Sequence, residues 1–454
     1  MTSNNICFQL SLHLGLVVRG IVASGIVASI LFSSSAIAET TQEDWNAKFQ
    51  STYVWQKNEA FHSPYASNNS LAAEANKSYS FTASAVFGVR LWQGAELYFE
   101  PAISQGVAVS DLTGLGGFTN GELISTSGSK PKLYRAGLFL RQTWGLGGGT
   151  EEVESNANQL AELVDKHRVV LTAGNMSVLD TFDYNTYSHD PRTQFMNWSL
   201  MTHGAYDYAA DSRGYSWGAV LEYFRDDWAV RAGRFIQPKE PNQRALDTKV
   251  FEHYGDQIEI EHDHELFGEE GKLRLLAFRN NTKMSRYEDA LVLASQTFSV
   301  PDINLVRTSD HVKYGLGLNV EQAVNKDVGV FMRTMWADGG TETYAFAEID
   351  RSLSAGALIK GEVWHRPEDT IGLAFAVNAL SKPHRDYLAA GGQGFFLGDG
   401  RLHYNTENII EAFYNLNLNK YVWLSVDYQR INNPGYNADR GPVNFGGLRL
   451  HTEF

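Results

Sequence analysis

The sequence predicts an all-β fold, a transmembrane antiparallel up-and-down β-barrel of about 16 strands whose long extracellular loops fold into the lumen. Three observations predict it. Segments of about ten residues alternate apolar and polar side chains along the chain, and the charges within each segment share one side. Aromatic residues gather at segment ends, where the lipid–water interfaces of a barrel would lie. Beyond residue 38 no apolar run reaches the ~18 residues of a membrane helix, so strands are the remaining way across.

Residues 1–38 are expected to be a secretory signal peptide, with Arg19 as their one basic residue, a short apolar run at 21–32 and a small-x-small site at Ala36-Ile37-Ala38. That run falls short of the ~20 residues of a spanning anchor. Residues 39–454 then form one barrel domain, without a second domain or linker. Cys7, the only cysteine, lies in the leader, which excludes thiolate metal sites and thiol redox chemistry from the rest. A formal net charge of −14 argues against nucleic acid as a partner.

The first segment places Trp45, Phe49, Tyr53 and Trp55 on one face and Lys48, Gln50 and Thr52 on the other. The second opposes Tyr79, Phe81, Phe87 and Leu91 to Arg90. Further along, Leu97 and Phe99 oppose Glu96 and Glu100, and Tyr134, Ala136, Leu138 and Leu140 oppose Arg135 and Arg141. Leu221 and Tyr223 oppose Glu222, Trp228 and Val230 oppose Arg231, and Ile258 and Ile260 oppose Glu259 and Glu261. Leu273 and Leu275 oppose Arg274, Leu316 and Leu318 oppose Asn319 and Glu321, and Val330 and Met332 oppose Arg333. The same holds for Ile410 against Glu411 and Val426 against Asp427. The chain closes with Leu448, Leu450 and Phe454 opposite Arg449, His451 and Glu453, a run resembling the closing strand and assembly signal of outer-membrane barrels. A soluble sandwich also alternates. The aromatic ends, the bulky charges suited to a wet lumen and the closing run favour the barrel.

A plain count gives 17 segments, whereas a bacterial single-chain barrel needs an even number. Between 343 and 361 the apolar face shifts from even to odd positions, which predicts a bulge inside one long strand and brings the count to 16. Short periplasmic turns are then expected at 93–94, 225–227, 323–326 and 419–420, and long outer loops at 56–77, 104–132, 175–212, 281–310, 380–405 and 432–445. Residues 145–167 fall on the periplasmic side, where Val153, Ala157, Leu160 and Val164 at helical spacing predict a short helix on a turn.

Residues 175–212 form the longest feature without strand character, dense in Asp, Tyr and Asn. A loop of that length is functional or disordered, and its large apolar residues argue against disorder. It is expected to enter the lumen and narrow it; the alternative is an external cap. Glycines 114, 116 and 117 and the run 145–149 lack the phosphate-loop pattern and read as loop glycines. His262 and His264 share a face at a strand end and read as groups on a periplasmic turn rather than a metal site. There is no G-x-S-x-G elbow, and the sequence assigns no catalytic residue, cofactor or metal. Arg90, Arg135, Arg141, Arg231, Arg274 and Arg333 are expected on the lumen side, as solute-contacting groups or as wall salt bridges.

Six stretches carry a resemblance: SYSFTASAVFGVRLWQGAELYFEP (78–101), GLGGFTNGEL (114–123), LYRAGLFLRQTWGLGGG (133–149), DPRTQFMNWSLMTHGAYDYAADSRGYSWG (190–218), RDYLAAGGQGFFLGDGRL (385–402) and YNADRGPVNFGGLRLHTEF (436–454). They resemble the carbohydrate-selective porins of the OprB type. The resemblance implies a monomeric 16-stranded channel of the Gram-negative outer membrane through which glucose and other sugars diffuse passively. It also implies contact with outer-membrane lipid and lipopolysaccharide, and with the barrel assembly machinery during biogenesis. A sugar offers hydroxyls at its edge and apolar C–H faces, so an eyelet needs charged hydrogen-bonding groups facing aromatic rings. The candidates are Asp180, Asp183, Asp190, Arg192 and Trp198 from the long loop, facing Arg90, Arg135, Arg141, Arg231 and Glu100. Competing readings are a polysaccharide export channel and an outer-membrane lipid or ester hydrolase. An energised receptor has no room for 22 strands and a plug.

Overall fold

A computed structural model describes residues 42–125 and 127–454; the expected signal peptide at 1–38 lies outside the described residues. In chain order the strands are β1 (Trp45–Asn58), β2 (Asn76–Trp92), β3 (Ala95–Val107), β4 (Lys132–Gly145), β5 (Thr150–Val153), β6 (Glu162–Asp165), β7 (Arg168–Met176), β8 (Ser216–Arg225) and β9 (Trp228–Ile236). They continue as β10 (Tyr254–Leu266), β11 (Glu269–Lys283), β12 (Asp310–Asn325), β13 (Val328–Ala337), β14 (Arg351–Gly361), β15 (Arg366–Ala379), β16 (Glu407–Asn419), β17 (Val422–Asn432) and β18 (Val443–Glu453). All but β5 and β6 form one closed antiparallel barrel of 16 strands, each beside its sequence neighbour, with β18 returning to β1. At the seam Phe49 and Phe454 exchange backbone hydrogen bonds of 2.8 and 2.9 Å.

The barrel is inside out relative to a soluble protein. Leu316 and Leu373 are each 59 % exposed on the outer wall, whereas Arg274 is 1 % exposed inside it. An exposed apolar band around a ring of buried charges is stable when the outer solvent is hydrocarbon. Register explains why the buried charges are tolerated. Glu222 lies directly opposite Arg231, Arg231 opposite Glu259, and Glu261 opposite Arg274. Arg231 therefore reaches Glu222 at 3.0 Å and Glu259 at 3.1 Å, and Arg274 reaches Glu321 at 3.1 Å, a ladder of alternating sign running from β8 to β12.

The lumen is largely filled by loops. The third extracellular loop, residues 177–215, starts two residues later than the sequence suggests and carries the one-turn helix α1 (Trp198–Met201). It folds inward, and wall carboxylates take its backbone donors. Glu259 accepts the Asp183 N–H at 2.8 Å, Glu321 the Thr186 N–H at 2.7 Å, and Glu411 the Met196 and Asn197 N–H groups at 2.6 and 2.9 Å. Glu407 does the same for Gly116 and Gly117 of the second loop, residues 108–131. Irregular backbone has no ladder partners of its own, and these charge-assisted bonds supply them.

Two segments differ from the sequence expectation. Residues 145–167 hold a two-stranded hairpin, β5 with β6, and no helix. The spacing of Val153, Ala157, Leu160 and Val164 is coincidental: Gly147, Gly148 and Gly149 take positive φ, and Asn156 to Gln159 make the turn. Residues 343–350 are not the start of a bulged strand but part of the sixth extracellular loop, residues 338–350. The Asp207 carboxylate accepts the N–H groups of Tyr344, Ala345 and Phe346, donors a strand would need for its ladder. The strand count stands; the reason for it differs.

Candidate functional site

Because the third loop is tied to the walls of β10, β12, β13 and β16, the open space lies against the other side of the barrel. That space is a cavity of about 770 Å³. Gln50, Thr82, Ser84, Glu100, Tyr134, Arg141 and Thr172 line it from β1 to β4 and β7. Glu122 of the second loop and Asp180, Asp190, Arg192, Trp198, Tyr208 and Tyr215 of the third line the other side. The tip of the periplasmic hairpin lines its lower end.

Arg192 holds the centre. Its Nε lies 3.0 Å from Glu122 and its guanidinium 4.0 Å from Asp190, and its side chain remains one-third exposed. Asp190 is fixed by accepting the Arg192 N–H at 3.0 Å and the Thr193 hydroxyl at 2.9 Å. Asp180 closes a capping box with Ser177 and is exposed to the cavity. Trp198 stacks on Phe346 at 5.2 Å and donates its indole N–H to the Asn120 carbonyl at 3.1 Å. Tyr134 and Tyr215 face each other at 6.2 Å, with Arg213 over the Tyr134 ring at 5.2 Å. The passage thus sets fixed charges of both signs beside aromatic faces, an arrangement that can exchange hydrogen bonds with hydroxyls and pack against C–H surfaces.

Six of the ten residues singled out from sequence meet at this cavity: Asp180, Asp190, Arg192, Trp198, Arg141 and Glu100. Four lie elsewhere. Asp183 is fully buried beneath it, where Arg333 donates to its carboxylate at 3.0 Å and the Thr202 hydroxyl and His203 N–H add bonds of 2.7 and 2.8 Å. Burial pushes the Asp183 carboxyl up, but Arg333 and these donors outweigh it and hold it at about 2. His203, 3.4 Å away, is pushed down to about 4 by its own burial. Arg231 is spent in the wall ladder, and Arg90 pairs with Glu162 of the hairpin at 2.9 Å. Arg135 was expected inside and lies on the outer face, over the exposed Trp217 ring at 5.1 Å.

The outward turn of Arg135 has a local cause. Pro101 has no N–H to give the ladder, and the β3–β4 register slips beside it, so that Glu100 opposes Gly137 and Pro101 opposes Arg135. One extra residue swaps the faces above it, turning Tyr134 into the lumen and Arg135 out. Glu122 was also not singled out; its GLGGFTNGEL stretch reads as an ordinary glycine-rich loop. His262 is stacked on Trp228 at 4.2 Å, and His264 bonds Gln322 at 3.0 Å.

A closed barrel with a lipid-facing apolar wall, and a narrow wet passage lined by fixed charges and rings, defines an outer-membrane diffusion porin. The family model described as "Carbohydrate-selective porin, OprB family" matches residues 69–454, and the chain belongs to that family. It is therefore a carbohydrate-selective porin, a channel of the outer membrane. Among solved structures it is similar to the OprB of Pseudomonas putida at high pH, with 14 % identity and a TM-score of 0.70 over 90 % of this chain and 94 % of that one. It is also similar in fold to the outer membrane channel DcaP of Acinetobacter baumannii, with 9 % identity and a TM-score of 0.51 over 90 % and 97 % of the two chains. No curated protein matches the sequence.

Proposed function

We propose that sugars are selected at the eyelet where Arg192, Glu122, Asp190, Asp180 and Glu100 face the rings of Trp198, Tyr134 and Tyr215. The supporting observation is the Arg192–Glu122 contact of 3.0 Å inside the cavity, beside which the Arg192 guanidinium and the Asp190 carboxylate remain about one-third exposed and open to a solute. A hexose shedding part of its water regains hydrogen bonds from these groups, while its C–H face rests on an aromatic ring. The contacts stay weak enough for release because both partners are already charge-paired. Asp183, Arg231 and Arg90 act indirectly, by holding the third loop, the wall and the hairpin in place.

The mature protein begins after Ala38, once residues 1–38 have been removed on export. It works as a monomer, with its apolar band in outer-membrane lipid and lipopolysaccharide, and the barrel assembly machinery inserts it. Planar-bilayer recording tests the eyelet. Glucose should reduce the ion current of the wild type and do so several-fold less well in R192A. Equal inhibition in the two would remove Arg192 from the selective site.

A further inference from the structure

The hairpin β5–β6 is fastened under the barrel at several points. Asn46 donates to the Gln159 carbonyl at 2.9 Å and to the Ser155 hydroxyl at 3.2 Å. The Leu160 N–H bonds the Tyr98 hydroxyl at 3.0 Å, with both side chains fully buried. Glu43 and Ala161 exchange backbone and side-chain bonds of 2.8 and 2.9 Å, and Arg90 meets Glu162 at 2.9 Å. A turn that only joined two strands would need none of this.

These ties aim the turn upward. Residues 153–159 line the same continuous cavity as Arg192, and the Arg141 guanidinium donates to the Asn158 carbonyl at 2.8 Å. Asn158 sits at the tip in the left-handed region, at φ +59°, and its side-chain oxygen is buried without a partner. Glu154 and Asn156 beside it are exposed to the cavity. The periplasmic end thus carries a carboxylate, amides and a partly engaged guanidinium on a backbone tied to the barrel wall.

We propose that the hairpin tip, through Glu154, Asn156 and Asn158 with Arg141, forms a second polyol-binding site in series with the eyelet, at the periplasmic exit of the passage. It rests on the reading of the channel as a sugar pore and adds a site to it. Two weak sites in series hold a solute briefly at each end of the narrow passage, which raises occupancy without one tight site that would slow release.

A thiol at the tip tests it. Cys7 is the only natural cysteine and lies within residues 1–38, so A157C supplies the reactive group and the parent chain is the control. In single channels, a trimethylammonium methanethiosulfonate added from the periplasmic side should cut conductance by roughly a third or more, and saturating glucose should slow the reaction several-fold. E154Q/N156A should weaken glucose block from the periplasmic side several-fold while R192A, which targets the eyelet, leaves protection of A157C intact. Unchanged conductance after complete modification confirmed by mass, or a reaction rate indifferent to glucose, overturns the second site. If R192A blocks like the wild type while A157C is still protected by glucose, the eyelet reading fails and the exit site stands.

Discussion

Arg333 on β13 grips Asp183 of the third loop at 3.0 Å, with neither side chain reachable by water. The same guanidinium donates to the Leu200 carbonyl at 2.9 Å and the Asp183 carbonyl at 3.2 Å, so one wall residue fixes both limbs of the loop. The passage is narrow because the loop cannot leave this wall. Removing one member of such a buried pair strands the other and costs about 3–5 kcal/mol. D183A should lower the unfolding free energy in detergent by that order and raise single-channel noise. D183A/R333M, which leaves no unpaired charge, should recover part of the loss in a double-mutant cycle with D183A and R333M.

The same anchor makes the loop acid-sensitive. His203 is held at about 4, below its ordinary 6.5, so the unfolded chain takes up the proton first and this contribution fades as pH falls from about 6.5 through 4. Asp183 is held at about 2, below its ordinary 3.8, so its contribution is present above 3.8 and fades as pH falls through 2. Both act in one direction. Measured by denaturant midpoint, the wild type should lose more stability between pH 6.5 and 3 than H203Q/D183N; equal losses would contradict the burial of both groups.

Glu411 offers a cleaner cut. E411A leaves the Met196 and Asn197 N–H groups without their acceptor, at about 1–3 kcal/mol for each buried donor. Hydrogen exchange in peptides covering 195–201 should accelerate while strand amides of β10 to β12 keep their protection. Uniform acceleration throughout the barrel would mean the bonds serve global stability instead.

Gly117 is where the second loop presses on the third. A Cβ there would sit 2.3 Å from the Ser199 hydroxyl and 2.6 Å from Ile409. G117V should push the second loop away, carry Glu122 off Arg192, raise conductance and weaken glucose inhibition together. Conductance rising with inhibition intact would separate Glu122 from solute binding.

The barrel was legible because each strand reports its own orientation: Arg274 between Leu273 and Leu275 faces the lumen whatever its partners are. Arg192 and Trp198 were legible for a related reason, since a long loop rich in rings must pack somewhere. Their neighbours were not. Asp183 and Arg333 lie 150 positions apart, and nothing local marks Asp183 as an anchor rather than a lining group. Pro101 was the available warning for Arg135, since proline in a strand interior marks a slip of register. The hairpin was hidden because apolar residues three or four apart suit a helix as well as a turn flanked by two short strands. For residues 343–350 the missing fact was Asp207, which lies far along the chain and strips the segment of ladder donors.

The central claim is that a charged eyelet beside aromatic rings selects sugars within a single passage. Liposome swelling measures this most directly, with glucose, an amino acid of similar size and a salt run in parallel for the wild type and for R192A/W198A. The account predicts that the wild type favours glucose over the amino acid and that the double variant swells faster with all three while losing that preference. A wild type that passes the three solutes according to size alone, or a double variant that keeps the full preference for glucose, would contradict it.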